Sequence, residues 1–434
     1  MSSNDWRKYK IGELGRVITG KTPSTKDVEN FGGTYPFITI PDLDTRVYID
    51  SSERKISDIG ASKMKSVLLP PNSVMISCIA TIGKCGITTK PSFTNQQINS
   101  VVCNQDVVFP LFLYYIFTQL RHELEAAGGG GSVYTNVSKS RFSEILISLP
   151  PLPTQRNIAN ILSALDDKIE LNRQTNATIE TITKSLFKSW FMDFDPVRAK
   201  VNGHTSSGMD NEIAKLFPNK FIDTEIGEIP ANWEVRSIGE VAERVAMGPF
   251  GSSIKVETFV DEGIPIISGQ HLRGFMLTDS TFNYVSLEHA EKLKKANVYH
   301  GDVIFTHAGN IENLAFIPED SKYSRYIVSQ RQFYVRCNLE IVSPSFITFY
   351  FQSPEGQHKL LANKSPVGVP SIAQPVTYLR SIKLPIPPKP ILDEFERVTT
   401  PLLQKYQANV HESQTLTSLR DTLLPKLMRG EIEA

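Results

Sequence analysis

The sequence predicts an α+β fold in which a mixed α/β domain followed by a long helix occurs twice, with the two long helices packed antiparallel as a coiled coil. Three observations predict it. The second half of the chain repeats the order of motifs in the first half. Each repeat begins with short β-type runs separated by Gly, Pro and Asn. Each repeat then continues into a stretch with apolar residues at three- and four-residue spacing.

The internal repeat has an offset near 230 residues and comprises five paired segments. The first pair shares the pattern W-x4-I-G-E, in segments that begin at Trp6 and Trp233. The other four pairs follow in the same order: YPFITIPDL with IPIISGQHL, PPNSVMIS with HGDVIFT, TNQQINSVV with VSQRQFYVR, and LPPLP with LPIPP. Because order and spacing agree over all the segments, we interpret the chain as a tandem duplication.

The helical part of the first repeat runs from Gln155 to Trp190 without proline or glycine. A helix of this length would extend about 54 Å at about 1.5 Å per residue. The middle of its apolar stripe, NRQTNAT, is polar, which predicts either a break or a contact with a partner at that point. The apolar residues are spaced for one helical face: Ile158, Ile161, Leu165, Ile169, Ile179, Ile182, Leu186 and Trp190.

The helical part of the second repeat begins near Ile391 and contains Pro401. Proline fits at the start of a helix but not in its interior. We therefore predict a short helix to about Thr399 and a longer one from Pro401 that Pro425 and Gly430 end. Two striped helices, one per repeat, bury their apolar faces most economically against each other in antiparallel orientation.

These features divide the chain into five segments. Two mixed α/β domains are predicted at 1–153 and 233–388, and two helical spacers at 154–195 and 389–434. The segment 196–232 is rich in Gly, Ser and Asn, which predicts an exposed linker that leads to the second domain.

Composition and charge narrow the classes of function. Lys+Arg and Asp+Glu both number 46, and a net charge of zero argues against a strongly basic, non-specific DNA coat. A net charge of zero is compatible with a protein that reads DNA sequence through one basic face. The cysteines form no CxxC pair and the histidines no HxH or HExxH pattern, so no metal site is predicted. A polar start and the absence of any apolar run near the ~20 residues that cross a bilayer predict a cytoplasmic protein.

One motif points to an enzyme. The segment GRVITGKT, residues 15–22, satisfies the P-loop pattern G-x4-G-K-T. A P-loop needs an apolar strand before it and a helix that begins at the lysine, whereas YKIGEL precedes this segment and PSTKDVENFGG follows it. A P-loop NTPase is therefore kept only as an alternative. The sequence also contains no nuclease cluster of the PD-(D/E)xK kind and no (N/D)-P-P-(F/Y/W) methyltransferase motif.

Four segments resemble the specificity subunits of type I restriction–modification enzymes. They are LPPLPTQRNIANILSALDDKIELN after the first domain, SLFKSWFMDFDPV at the end of the first helix, the connector FIDTEIGEIPANWEV, and the tail SLRDTLLPKLMRGEI. They occur in the order that the family shows, and the resemblance covers essentially the whole chain.

The resemblance implies a non-catalytic subunit with two target recognition domains, each of which reads one half of a bipartite site in double-stranded DNA. It also implies that the helices dock two methyltransferase subunits, with restriction (motor-nuclease) subunits joining for cleavage. No cofactor is expected in this chain, whereas S-adenosylmethionine, ATP and Mg²⁺ are expected in the partner subunits. The alternatives are a helical scaffold whose lobes bind protein, and a system that methylates without restricting.

Three groups of residues supply candidate DNA contacts. The glycine loops after the first long strand of each repeat offer hydroxyls and a lysine suited to phosphate oxygens. The turns IATIGK and HAGN can approach DNA through their backbone and through a lysine or histidine. A third group carries amide or guanidinium side chains that can bind base edges, since Asn and Gln pair with adenine and Arg with guanine. For each, the alternative is an ordinary turn or the domain's own hydrogen bonding, and the GGGG run at 128–131 is read as a flexible loop. The candidates are Lys21, Thr22, Ser24, Thr25, Lys84, Asn95, Gln96, Gln97, Ser252, Ser253, Gln270, His271, Arg273, His307, Gln330 and Arg331.

Aromatic residues near the end of the first helix are candidates for contact with the methyltransferase subunits. They are Phe187, Trp190 and Phe191. The alternative is that these aromatic side chains pack in a core between helices.

Overall fold

The computed structural model describes residues 6–44, 46–128, 136–204, 208–249, 253–278, 281–365 and 368–433. It consists of two compact units, a first unit of residues 1–176 with 406–434 and a second unit of residues 177–405. The chain passes between the units inside each of its two long helices.

The first repeat contains ten strands and five helices among its described residues. Its main sheet has five strands in the order β2-β9-β6-β7-β4, next to a three-stranded sheet β5-β3-β8 and a pair β1-β10. In chain order these elements are β1 (Arg7–Lys10), β2 (Gly15–Thr19), β3 (Phe31–Ile38), β4 (Tyr48–Ile49), β5 (Arg54–Ile56), α1 (Asp58–Lys63), β6 (Ser73–Ser77), β7 (Cys85–Thr88), β8 (Phe93–Thr94), β9 (Ile98–Cys103), α2 (Pro110–Gln119), α3 (Arg121–Ala127), α4 (Lys139–Glu144), β10 (Leu146–Leu149) and α5 (Leu152–Phe187).

After α5 and a one-turn π-helix at Lys188–Met192, the chain forms the segment 196–232 and then the second repeat. Its next elements are α6 (Asp195–Val201), α7 (Asn211–Leu216), β11 (Phe221–Thr224), β12 (Gly227–Pro230), β13 (Glu234–Ser237), α8 (Ile238–Val241), β14 (Ala242–Met247), β15 (Phe259–Val260), β16 (Ile264–Ile267), β17 (Asn283–Val285), α9 (Leu287–Lys292), β18 (Asn297–Val298), β19 (Val303–Thr306), β20 (Leu314–Phe316), β21 (Tyr326–Val328), β22 (Gln332–Cys337), α10 (Pro344–Gln352), α11 (Pro354–Leu361), α12 (Pro375–Ser381), β23 (Lys383–Ile386) and α13 (Lys389–Met428).

The two repeats share their principal strand pairings, which confirms the predicted duplication and fold class. The strand that follows Trp6 pairs with the strand before the first long helix, β1 with β10, and the strand after Trp233 does the same, β13 with β23. The next strands also correspond, because β2 pairs antiparallel with β9 and β14 pairs antiparallel with β22. Each repeat also has an equivalent parallel pair, β3 with β8 and β16 with β21, and the first repeat has a second one, β4 with β7. The sequence PLFLYYIFTQ of α2, buried from Pro110 to Phe117, supplies much of the core of the first repeat.

The core of each unit includes the beginning of one long helix and the end of the other. In the first unit, Ile158 and Leu162 of α5 lie in one apolar cluster with Leu424 and Leu427 of α13. In the second unit, Phe187 of α5 contacts Phe395 of α13, with ring centroids 5.8 Å apart. Helix α5 therefore runs antiparallel to α13 within each unit, as predicted.

Polar residues join the two helices near the middle of α5, and the helix continues through them without a break. Asn172 donates to Ser413 Oγ at 3.3 Å, and Asn409 donates to Asn176 Oδ1 at 2.9 Å. Asn172 and Asn409 are both buried. The break predicted for the polar segment NRQTNAT is wrong, and its asparagines contact the other long helix of the same chain.

The predicted interruption of the second helix at Pro401 is wrong. Helix α13 is continuous from Lys389 to Met428, so it also passes through Pro425. A proline in a helix interior costs about 3 kcal/mol. Phe395 and Leu403, buried on either side of it, each contribute about 1.5–3 kcal/mol by leaving water, which offsets that cost. Pro401 itself is exposed.

The segment 196–232 is not the exposed linker that its composition predicts. It contains α6, α7 and the hairpin β11-β12. Val197, Phe217 and Ile229 are buried. Its apolar residues pack although Gly, Ser and Asn are frequent in it, and Asn211 begins α7.

Candidate nucleic-acid interface

Three loops of the first repeat emerge from the same end of the five-stranded sheet. Thr19, the last residue of β2, lies opposite Asn99 of β9, and Ser77, the last residue of β6, lies opposite Ile98. The loops 20–25, 78–84 and 95–97 therefore begin or end side by side. We call these three loops the first loop end.

Backbone hydrogen bonds hold the loops of the first loop end together. Gly20 N donates to Ile98 O at 3.1 Å and Lys21 N to Thr94 O at 2.9 Å. Cys78 N donates to Gln97 O at 2.8 Å, which ties the second loop to the third. A side-chain bond adds to this, since Thr22 Oγ1 donates to Gln96 Oε1 at 2.6 Å.

The candidates in the first loop end differ in the solvent exposure and the hydrogen bonding of their side chains. Lys21, Ser24, Thr25 and Gln96 are exposed, whereas Thr22, Lys84, Asn95 and Gln97 are half-buried. The amide of Asn95 is used within its own turn: Nδ2 donates to Gln97 Oε1 at 3.0 Å, and Oδ1 accepts from Gln97 N at 3.1 Å. The structure thus brings together all the candidates predicted for this repeat, and it leaves four of them exposed: Lys21, Ser24, Thr25 and Gln96.

The second repeat has an equivalent set of loops at the end of its four-stranded sheet. Gly248, which follows β14, donates from its backbone N to Gln332 O at 2.9 Å. His307, which follows β19, donates from its backbone N to Arg331 O at 2.9 Å, and its ring Nε2 lies 2.9 Å from Gln330 O. Gln330 and Arg331 are exposed. We call residues 248–249, 307–313 and 329–331 the second loop end.

A 3-10 turn at Gly269–His271 also lies at the second loop end. A side chain at Gly269 would reach Gln332 Nε2 and Thr306 Oγ1 at 3.7 and 4.0 Å. Gln270 and Arg273 are exposed. His271 is only 2% exposed, its Nδ1 accepts from Ser268 N at 2.9 Å, and its ring lies on Phe282 at 4.4 Å.

The DNA-contact prediction for His271 is therefore wrong, because its ring belongs to the domain core. Ser253 is half-buried, and its backbone oxygen lies 2.8 Å from Nε2 of His289. Ser252 and the glycines at 129–131 lie outside the described residues.

Sequence reasoning missed one segment in each repeat. Val137 donates from its backbone N to Cys78 O at 3.1 Å, and Ile372 donates in the same way to His307 O at 2.9 Å. Both segments just precede a short helix, α4 or α12, and each forms an isolated bridge with the loop after β6 or β19. Aligning TNVSKS with PSIAQP across the repeats would have pointed to them.

Two buried hydroxyls lie where the strands enter the loop ends. Thr94 Oγ1 and Thr306 Oγ1 are buried and have no hydrogen-bond partner within the described chain. A buried polar group without a partner is costly and is rare in folded proteins. Each loop end therefore has unused hydrogen-bonding capacity directly beneath its exposed side chains.

The aromatic residues at the end of α5 are not a partner surface. Phe187, Trp190 and Phe191 are 2%, 4% and 1% exposed. The ring of Phe191 lies 5.1 Å from Phe346 and 5.0 Å from Phe395. The prediction that they contact another subunit is wrong, and the alternative of core packing is correct.

The described residues give no support to the enzymatic alternatives. Residues Gly15–Thr19 of the P-loop-like motif form strand β2, paired antiparallel with β9, so the segment is not a P-loop. No group of three or more His, Cys, Asp or Glu side chains is arranged to hold a metal ion in the described part of the chain. The cysteines are free thiols, and burial raises the pKa of Cys78 to about 11. None of the described helices is long and apolar enough to span a bilayer.

Comparisons with known proteins agree on one family. A family model described as "Type I restriction modification DNA specificity domain" matches residues 3–181 and again 230–411. The MjaIX specificity subunit of Methanocaldococcus jannaschii is 30% identical over 99% of this chain and 94% of its own length. The HindI specificity subunit of Haemophilus influenzae is 22% identical over 99% of this chain and all of its own.

A solved structure has the same fold. It is the crystal structure of the S subunit of a type I restriction–modification system from M. genitalium, with a TM-score of 0.57, 16% identity, and coverage of 97% of this chain and 96% of that one. The two matches of the family model fall on the two repeats described above. The chain therefore belongs to the type I restriction–modification DNA specificity family, whose members are the non-catalytic DNA-recognition subunits of these enzymes and carry no cofactor of their own.

Proposed function

We propose that this chain reads a bipartite site in double-stranded DNA, with the domain at 1–153 reading one half through the first loop end and the domain at 233–388 reading the other through the second. The observation that carries the proposal is the duplication of the loop ends. In each repeat, three loops that are separate in sequence meet at one end of one sheet and present exposed polar side chains. A fold that is duplicated in this way suits a target with two parts.

The exposed side chains have the chemistry of base and phosphate recognition. Gln96 and Gln330 carry amides that can pair with adenine, and Arg331 and Arg273 carry guanidinium groups that can pair with guanine. Lys21, Ser24 and Thr25 suit phosphate oxygens, which position a protein on the duplex without reading sequence. The thiols and aromatic groups of the cores take no part in this surface.

The two loop ends differ in their residues, so the proposed site is asymmetric. Where the first loop end has Asn95, Gln96 and Gln97, the second has Gln330 and Arg331 next to a half-buried His307. Identical readers would favour a palindrome, since the symmetry of a site mirrors that of the protein that binds it. Two diverged readers favour a different sequence in each half.

We further propose that the helical spacers dock two methyltransferase subunits, and that restriction subunits join that complex. Ile182 on α5 and Leu419 on α13 support this, because they are 48% and 45% exposed and occupy equivalent positions in the two helices. Isolated exposed apolar residues are common, but a pair at equivalent positions suits two copies of one partner. S-adenosylmethionine, ATP and Mg²⁺ would then be bound by those subunits.

Coexpression with the methyltransferase of the same system, in a host without DNA methylation, tests the proposal. Sequencing that detects modified adenines should find one split motif with two different halves, and only when this chain is present. Omitting this chain is the control. A stable complex of the chain with the methyltransferase that modifies no motif, or a continuous motif, would contradict the proposal and favour a protein-binding scaffold.

A further inference from the structure

The two long helices occupy equivalent positions in the two repeats. They begin 237 residues apart, at Leu152 and Lys389, and the buried Asn172 and Asn409 are separated by the same number. The hydrogen bond from Asn172 to Ser413 therefore has an equivalent in the bond from Asn409 to Asn176. Asn172 also donates to Glu412 Oε2 at 2.8 Å, and the counterpart of Glu412 is Thr175. The two equivalent hydrogen bonds of this polar centre would form equally well if α5 paired with α5 of a second copy of the chain.

The less exposed of two ion pairs between the helices, Asp166 with Arg420, departs from that equivalence. Asp166 Oδ1 of α5 accepts from Arg420 Nη1 of α13 at 2.7 Å, and its Oδ2 accepts from Tyr115 Oη at 2.6 Å. The Asp166 side chain is 10% exposed and that of Arg420 27%. Burial, and after it the charge of Asp166, raise the pKa of Tyr115, so its hydroxyl stays protonated and donates.

The positions equivalent to this ion pair carry no charge. Leu403 is the counterpart of Asp166 and Thr183 the counterpart of Arg420, each 237 residues away. Both are buried, and the Thr183 hydroxyl donates to Ile179 O within its own helix at 2.8 Å. The helix pair thus has an ion pair on one side of its polar centre and two buried, uncharged residues at the equivalent positions on the other.

Pairing between like helices of two copies would deprive Asp166, which is only 10% exposed, of its positively charged partner, while Arg420 would keep only its pair with Asp421 on its own helix. Two α5 helices would place Asp166 opposite Thr183, and two α13 helices would place Arg420 opposite Leu403. Removing the counter-charge of a largely buried carboxylate is destabilising, because the remaining charge is uncompensated. We propose that Asp166 and Arg420 select pairing of α5 with α13 over pairing of like helices between copies, so that the two repeats of one chain assemble with each other.

The residues at the C-terminal ends of the two helices also disfavour pairing of like helices. Helix α5 is followed closely by the large rings of Trp190 and Phe191, whereas the equivalent residues of α13 are Leu427 and Met428. The rings pack against Phe395 in the second unit, and Leu427 lies in the apolar cluster of the first unit. A side chain of one volume does not fill the space of the other without strain or a cavity, which again disfavours pairing of like helices.

Charge reversal in the full chain, expressed in two copies with different affinity tags, tests this proposal. Asp166→Arg and Arg420→Asp each place like charges together when α5 pairs with α13 of the same chain. When the two variants are coexpressed, α5 of one copy complements α13 of the other, so they should co-purify as a 1:1 heterodimer. The double variant Asp166→Arg with Arg420→Asp restores complementarity within one chain and should be monomeric by light scattering, as the wild-type chain should be.

Lys168→Glu is the matched control, because Lys168 pairs with Glu412 on the same helices but is 40% exposed, where a charge contributes little. It should stay monomeric and should not co-purify with a second copy. The proposal is overturned if either single variant is a monomer that melts at the wild-type temperature. It is also overturned if the coexpressed variants co-purify no more than two tagged wild-type copies, or if the double variant fails to recover. None of these results depends on DNA binding, so they leave the proposed function to its own test.

Discussion

Phe191→Ala should lower the free energy of unfolding of the second unit by about 3–5 kcal/mol, the range typical of a fully buried phenylalanine. Phe191 is 1% exposed, and its ring lies 5.0 Å from Phe187, 5.9 Å from Trp233 and 5.1 Å from Phe346. Truncation removes contacts to a helix of each repeat and leaves a cavity that these rigid rings cannot close.

Urea denaturation of the full chain, followed by tryptophan fluorescence, measures this effect. Trp190 and Trp233, two of the three tryptophans, lie beside Phe191 and report on the second unit. Ile182→Ala on the same helix is the control, and because Ile182 is exposed, it should change stability by less than about 0.5 kcal/mol. Equal effects of the two substitutions would contradict the buried position of Phe191 and revive the prediction of a partner surface.

Gly248→Ala should weaken DNA binding by the complex with its methyltransferase at least about tenfold, which corresponds to the loss of about 1.4 kcal/mol. A Cβ at Gly248 would lie 1.9 Å from Ser329 O, so the backbone of one loop must move away from the other. The displaced turn carries Gln330 and Arg331. Each good base contact is worth about 1–3 kcal/mol, so the loss of two such contacts weakens binding by more than tenfold.

Gly269→Ala is the matched control at the same loop end. Its added methyl would meet its nearest atoms at 3.7 and 4.0 Å, which are ordinary contact distances. Binding to a duplex with the modified motif, titrated at fixed salt because phosphate contacts make affinity salt-dependent, compares the two variants. Similar affinities for Gly248→Ala and the wild-type chain would show that the second loop end does not read DNA.

The duplication could be predicted because it repeats patterns of residues along the chain. W-x4-I-G-E marks the strand that opens each repeat, and LPPLP and LPIPP mark the strand that closes it. In the structure these markers flank the pairs β1-β10 and β13-β23. The meeting of the loops could be anticipated in the same way, since matched motifs at strand ends in both repeats suggested loops with a shared role.

Other features depend on tertiary packing that local patterns do not encode. Pro401 indicated a helix end, but Phe395 and Leu403 bury enough apolar surface to carry α13 through it. Glycine and serine near residue 205 indicated a linker, while the apolar residues Val197 and Phe217 decide that the segment packs. His271 has the chemistry of a DNA contact, and only its position beside Phe282 shows it to be part of the core.

Exchange of residues 233–388 for the corresponding domain of another specificity subunit, followed by sequencing of modified adenines, tests the central claim most directly. If each domain reads its own half, one half of the motif should change and the other half should stay as it is in the wild-type chain. A chimera that folds and modifies DNA, yet changes both halves or neither, would contradict the account.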